Sequence, residues 1–305
     1  MSASTLAITG ATGFVGSRLL EMARAADHQV RALTRGPRPR TDGVTWIEGA
    51  LDRPETLATL AEGADAVVHV AGLINAPDRE TFDAVNVAGT AHMIDAARAA
   101  GIHRFIHISS LAAREPGLSD YGGSKARSEQ VAAASGLDWT ILRPPAVYGP
   151  GDRETFELFK MARRGFVALP PRGHFSIIHV DDLAGLILAL IDAPETHGET
   201  YEPDDGREGG WEHRHFARTL SRLFGKRAAT VAMPAPVLKG VARLDRLVRR
   251  GKAKLTPDRA RYFSHPDWVA AAERRPPARL WTPKVRTPTG LKATAEWYLA
   301  QGWLR

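Results

Sequence analysis

Between residues 1 and 110 the apolar positions fall into short, nearly continuous runs separated by stretches of helical spacing. Leu6-Ala7-Ile8 is the first run, and the residues from Ser17 to Ala23 that follow repeat their apolar positions as a helix does. Gln29–Thr34, Thr45–Gly49, Ala66–Ala71 and Phe105–Ser109 read as four further strands, and Phe82 to Ala99 as a helix before the last of them. Strands of continuous Val, Ile and Ala are buried on both faces, and their alternation with helices predicts a parallel sheet covered on both sides. The expected fold of this part is therefore α/β, a Rossmann-type doubly wound parallel sheet. In such a sheet ligands bind at the carboxyl ends of the strands.

The first strand is joined to the first helix by Thr9-Gly10-Ala11-Thr12-Gly13-Phe14-Val15-Gly16. Strand, glycine turn and helix in that order form the context of a dinucleotide fingerprint. Gly10 would allow the tight turn, Gly13 a close approach to a pyrophosphate, and Gly16 close helix–strand packing. The N–H groups that open the helix would face the phosphates. A glycine-rich turn that binds nothing is the competing reading. After the second strand stand Thr34, Arg35 and Gly36, with Arg38 and Arg40 beyond. An acidic residue there would hold the ribose 2′-hydroxyl of NAD, whereas arginine accommodates the 2′-phosphate of NADP. This favours NADP(H) over NAD(H), against the alternative of a solvated basic loop. Asp52, just past the third strand, is placed to reach the adenine amino group or, alternatively, to cap the helix opening at Pro54-Glu55.

Ser109-Ser110 end the fifth strand, and Tyr121-Gly122-Gly123-Ser124-Lys125 follows. Tyr121 and Lys125, four apart, share one helix face. A phenol of pKa about 10 is protonated at neutral pH, and a neighbouring ammonium stabilises the phenolate. Tyr121 is then the proton donor or acceptor, Lys125 its electrostatic partner, and Ser110 the anchor of the substrate oxygen.

Together these motifs resemble the extended short-chain dehydrogenase/reductases, the NAD(P)-dependent epimerase/dehydratase group, over nearly the whole chain. His69-Val70-Ala71-Gly72, Asn86-Val87-Ala88-Gly89-Thr90, Leu142 to Gly151, Phe175 to Ala184, and Glu296-Trp297-Tyr298 with Gly302-Trp303-Leu304 carry the rest of the likeness. The resemblance implies a cofactor domain over 1–150 with a return near 175–205, and a smaller, mostly helical C-terminal substrate domain over 151–174 and 206–305. It implies cofactor contacts from Gly10, Thr12, Gly13, Phe14, Val15, Gly16, Arg35, Leu51, Asp52, Val70, Ala71, Gly72, Asn86, Lys125, Pro144 and Val147.

Three function classes stay open. One is a ketoreductase or dehydrogenase, one a sugar-nucleotide epimerase or dehydratase, and one a cofactor-binding structural subunit without turnover. The intact Ser110, Tyr121 and Lys125 argue against the last. Sugar-nucleotide members usually carry Arg-Asp where this chain has Gly173-His174-Phe175-Ser176, although Arg153, Arg163, Arg164 or Arg172 could replace that cation.

Composition adds one feature. The 305 residues are 44% hydrophobic and 25% charged and contain no cysteine, which excludes disulfides, thiolate nucleophiles and cysteine metal sites. Net charge is +7. Within 235–254 seven basic residues, from Lys239 to Lys254, face Asp245 alone, so nearly the whole excess lies there. Val237, Leu238, Val241, Leu244, Leu247 and Val248 recur on a helical period in the same segment. A basic amphipathic helix suits a membrane interface; the alternative is a helix packed on its own domain with solvated charges. Membrane contact would fit a hydrophobic substrate, and the resemblance extends to members acting on steroid and lipid ketones, the bacterial ceramide reductases among them. The expected partners are a small molecule, lipid in that case, and no nucleic acid; a homodimer is compatible with the sequence. The first strand opens too early for a signal peptide and the apolar run Leu183–Ile191 is too short to span a bilayer, so a cytoplasmic location is expected, at the inner membrane face if 235–254 meets lipid. His69, His103, His107 and His179 read as structural, with no metal site expected. Asp181-Asp182 read as backbone-bonding or capping residues.

Overall fold

The computed structural model describes residues 3–170, 172–227, 229–232, 240 and 261–304. The segment 235–254, apart from Gly240, lies outside the described residues. The chain forms two compact units. The first comprises Met1–Pro144, Val180–Glu202 and Arg274–Thr282, and the second Pro145–His179, Pro203–Glu273 and Pro283–Arg305. The sequence reading set its edges at 150, 175 and 205 instead. Glu202 N–H bonds the Arg274 carbonyl at 2.8 Å, which joins the short third segment to the first unit.

The first unit is built on seven strands: β1 (Thr5–Thr9), β2 (Gln29–Thr34), β3 (Val44–Glu48), β4 (Ala66–His69), β5 (Arg104–Ile108), β6 (Asp138–Leu142) and the late strand Glu199–Tyr201. Their order is Glu199–Tyr201, β6, β5, β4, β1, β2, β3, and every pairing is parallel. This is the expected doubly wound sheet. All residues of β4 and β5 are buried, His69, Arg104 and His107 among them, so these strands are covered on both faces. The strand order reverses between β1 and β4, so their carboxyl ends part and leave the crevice where such sheets bind ligands.

Helices cover this sheet. α1 (Phe14–Ala25) buries Gly16, Leu19, Leu20 and Ala23, the spacing of one helix face. α2 (Pro54–Ala61) opens with Arg53 at its N-cap and no side-chain cap bond, so the capping alternative for Asp52 does not hold. The predicted helix 82–99 is divided: α3 (Arg79–Phe82) runs into a π turn over Asp83–Ala88, and α4 (Gly89–Ala99) continues from it. A π turn holds one extra residue per turn, which a 3.6-residue pattern cannot register, and such turns are frequent at functional sites. α5 (Asp120–Ala133) and α7 (Val180–Ala189) belong to the same unit. Arg18 of α1 bonds Asp181 through Nε and Nη2 at 2.7 and 3.1 Å, so Asp181 is an ion-pair partner. Among the described residues no helix is long and apolar enough to cross a membrane.

The second unit holds α6 (Phe156–Arg163), α8 (His213–Arg222) and α9 (Thr287–Ala300), with short strand pairs between them. Its core gathers Tyr148, Phe159, Trp211, Phe216, Leu291 and Tyr298. Val147 lies here, on a short strand paired with Ile177–His179.

Candidate active site

The crevice at the end of β1 is shaped by glycine. Gly10 has φ +72°, and a Cβ on it would lie 2.7 Å from Ala71 N. A Cβ on Gly16 would lie 2.1 Å from the Gly10 carbonyl oxygen, so any side chain there would displace the helix from the turn. Gly13 is the N-cap of α1 and supplies no side chain to its first N–H groups. Those groups have no carbonyl one turn back, and with the helix dipole they favour an anion. Thr12 and Gly13 are exposed there, Phe14 and Val15 half-buried. Beside the turn a cleft of about 220 Å³ is lined by Thr12, Thr34, Arg35, Gly36, Pro37 and Arg38. A larger cavity of about 420 Å³ sits at the opposite, amino ends of β4, β5 and β6, away from this chemistry. The turn's tight backbone, its unpaired N–H groups and the adjacent basic cleft fit a dinucleotide.

Ala71 and Gly72 continue β4 on the other side of the crevice. A Cβ on Gly72 would meet Asn86 Oδ1 at 3.0 Å and Lys125 Nζ at 3.8 Å, which places the lysine close to this backbone. Leu51 is half-buried and its carbonyl oxygen is 2.8 Å from His92 Nδ1; Asp52 is exposed. Asn86 is buried, and its amide is taken up within the protein: Oδ1 accepts from Leu73 N–H at 2.7 Å, and Nδ2 donates to Leu73 O and Ser124 Oγ at 3.0 and 2.9 Å. It supports the loop after β4 from below.

β5 leads to Ser109 and Ser110, which differ in their surroundings. Ser109 is buried and donates its hydroxyl to Glu129. Ser110 is half-buried and caps the 3₁₀ turn Leu111–Arg114, its Oγ accepting from Ala112 N at 3.2 Å, which leaves the O–H to donate. α5 lies against this turn because Gly122 has no side chain: a Cβ there would be 2.6 Å from the Ala112 carbonyl oxygen. Ser119 caps α5 by accepting from Gly122 N at 2.9 Å, and Tyr121 follows in the first turn, its ring 6.0 Å from Phe82. The Pro144 carbonyl accepts from Leu111 N at 3.0 Å, bringing the end of β6 to the same turn. Ser110, Tyr121 and Lys125 are thus gathered around the end of β5.

Lys125 is buried, and its Nζ donates to the Ile108 carbonyl at 2.8 Å. Burial lowers its pKa to about 8, and the Glu129 carboxylate one turn on opposes that fall. Sequence reasoning missed Glu129. Its carboxylate accepts from Arg143 Nη2 at 2.7 Å and from Nε at 3.0 and 3.2 Å. Arg143 also reaches Glu202 at 3.5 Å, which stands 3.7 Å from Arg114. The spacing of Glu129 four residues after Lys125, on the buried face of α5, was the available signal. His69 and His107 lie stacked nearby, ring centroids 5.5 Å apart. Burial first, and then the Lys125 charge, lower the pKa of His69 to about 3 and that of His107 well below its usual value. Both rings are neutral at physiological pH. Among the described residues no cluster of three or more His, Asp or Glu could hold a metal.

A family model described as NAD(P)H-binding matches residues 10–194. A ceramide reductase of Caulobacter vibrioides is 37% identical over 98% of this chain and 96% of its own. The chain belongs to the extended short-chain dehydrogenase/reductase family. Its relatives in this family include a UDP-glucose 4-epimerase of Vibrio cholerae, 27% identical over 67% of this chain and 71% of that protein. Among solved structures, MoeE5 in complex with UDP-glucose and NAD superposes with a TM-score of 0.75, at 22% identity and over 98% of this chain and 99% of that one. At that identity the likeness shows the extended short-chain fold alone. The protein is an NAD(P)-dependent oxidoreductase of this family.

Proposed function

We propose that the protein reduces the ketone of a hydrophobic substrate, a 3-oxo-sphingoid or ceramide-like lipid, with NADPH as the preferred cofactor. The observation that carries this reading is the 37% identity to a ceramide reductase, which spans nearly both chains. A bound reduced nicotinamide supplies hydride to the carbonyl carbon. Tyr121 donates the proton to the carbonyl oxygen, and Ser110, its lone pair engaged by Ala112 N–H, turns its O–H to the same oxygen. Lys125, mostly ammonium at neutral pH, stabilises the phenolate that Tyr121 becomes. The Ile108 carbonyl and Glu129 keep that ammonium in place. Arg35 and Arg38, with no carboxylate lining the cleft beside Thr12, favour the 2′-phosphate of NADP. The basic segment 235–254 supplies peripheral contact with anionic lipid, so that substrate is drawn from the membrane surface.

The test is net cofactor turnover by purified protein against a long-chain 3-oxo-sphingoid in mixed micelles, beside a panel of sugar nucleotides. Stoichiometric loss of NADPH absorbance with the lipid, and none with the sugars, supports the reading. Conversion of a sugar nucleotide without net NADPH loss would replace it with epimerisation.

A further inference from the structure

His69 takes no part in proton transfer, yet both ring nitrogens are engaged. Nδ1 is 2.9 Å from Thr9 Oγ1 and Nε2 is 3.1 Å from Thr90 Oγ1. The outer partners set the direction of these bonds. Thr90 donates its hydroxyl hydrogen to the Asn86 carbonyl at 2.7 Å, so it accepts from the ring, and Nε2 must carry the hydrogen. Nδ1 is then an acceptor for the Thr9 hydroxyl, whose oxygen in turn accepts from Ala71 N–H at 3.1 Å. Beyond Asn86 the side-chain amide donates to Ser124 Oγ at 2.9 Å, and Ser124 donates to the Tyr121 carbonyl at 2.8 Å.

We infer that His69, fixed as the Nε2–H tautomer, is a positioning residue: it joins the glycine turn and the end of β4 to the π turn and, through Asn86 and Ser124, to the helix that carries Tyr121. This rests on reading the site as a nicotinamide oxidoreductase site. Thr9 directly precedes Gly10, and Gly10 lies against Ala71, so one end of the chain holds the two walls of the cofactor crevice together. The other end holds Asn86, which clamps Leu73 by two bonds. From Ala71 to the Asn86 backbone carbonyl every donor points the same way, an arrangement in which neighbouring bonds polarise one another, and the Asn86 side-chain amide begins a second run to the Tyr121 carbonyl. A proton on Nδ1 would face a hydroxyl already accepting from Ala71. Burial opposes that protonation and holds the neutral ring through the physiological range.

Two measurements test this, and neither needs a carbonyl substrate, so an error in the substrate class would leave both results unchanged. The first is ¹⁵N spectroscopy of the histidine rings of the wild-type protein, with His69 assigned by its loss in His69→Gln. The expected result is a protonated Nε2 and a bare Nδ1 with no titration between about pH 5 and 9. A hydrogen on Nδ1, or titration in that range, overturns the inference. The second is NADPH affinity, by cofactor fluorescence, of Thr9→Val, Thr90→Val and the double variant. Each single change should weaken binding about tenfold and the double change by about the same factor, because a chain cut once is already cut; independent contributions would multiply to about a hundredfold. Thr9→Ser and Thr90→Ser, which keep the hydroxyl, should restore affinity. Multiplicative losses, or no loss in either single variant, overturn the inference.

Discussion

Lys125→Met should stabilise the protein while abolishing its turnover. In the folded chain the buried Nζ titrates near pH 8, against an ordinary value of 10.5. Holding it charged at neutral pH therefore costs the folded state about 3 kcal/mol relative to the unfolded one. That cost is fully present below pH 8. Between 8 and 10.5 the unfolded chain still binds a proton that the folded chain has released, so wild-type stability rises over that window relative to the variant. Methionine of similar length removes the charge but leaves the Ile108 carbonyl without its donor, a loss of about 1 kcal/mol. The variant should be more stable than wild type by about 2 kcal/mol near neutral pH, and the difference should vanish and reverse towards pH 10.5. Urea denaturation of both proteins across this pH range measures it, and the difference between them cancels the titration of all other groups. A variant less stable than wild type near neutral pH, or a pH-independent difference, would refute the reasoning.

Tyr121→Phe should reduce turnover by about 10²–10⁴-fold while NADPH affinity, read by fluorescence titration, stays near wild type. Glu129→Gln takes from half-buried Arg143 its nearer carboxylate and leaves it Glu202 at 3.5 Å, so urea unfolding should show a loss of about 1–3 kcal/mol. With the carboxylate gone the pKa of Lys125 falls further, and the alkaline limb of the pH–rate profile should move to lower pH than in the wild type. Arg35→Asp should lower the ratio of NADPH to NADH affinity by about tenfold or more, and an unchanged ratio would remove Arg35 from cofactor selection.

The sheet was legible because burial on both faces makes most positions of β1, β4 and β5 apolar, with only isolated polar residues such as His69 and His107 among them. Gln29–Thr34 is found with the bounds read from the sequence, and the other four strands read there shift by only a residue or two, whereas β6 and Glu199–Tyr201 carry no comparable run. The glycine turn was legible because two positions exclude any side chain. The interior support of the site was not. Glu129, Arg143 and Glu202 meet only after folding, and 59 residues separate the last two. Thr9, His69 and Thr90 come from three elements whose spacing carries no local signal. Asp52 has no capping role because the N-cap position falls on Arg53, directly before the helix that opens at Pro54.

The most direct test of the proposed chemistry follows a label. The protein is incubated with NADPH carrying deuterium on the transferred face of the nicotinamide and with a 3-oxo-ceramide, and the lipid is analysed by mass spectrometry. One deuterium on the new carbinol carbon, matched by an equal amount of unlabelled NADP, is the expected result. Recovery of labelled NADPH with no deuterium in the lipid, under conditions where the cofactor is bound, would contradict net carbonyl reduction at Tyr121.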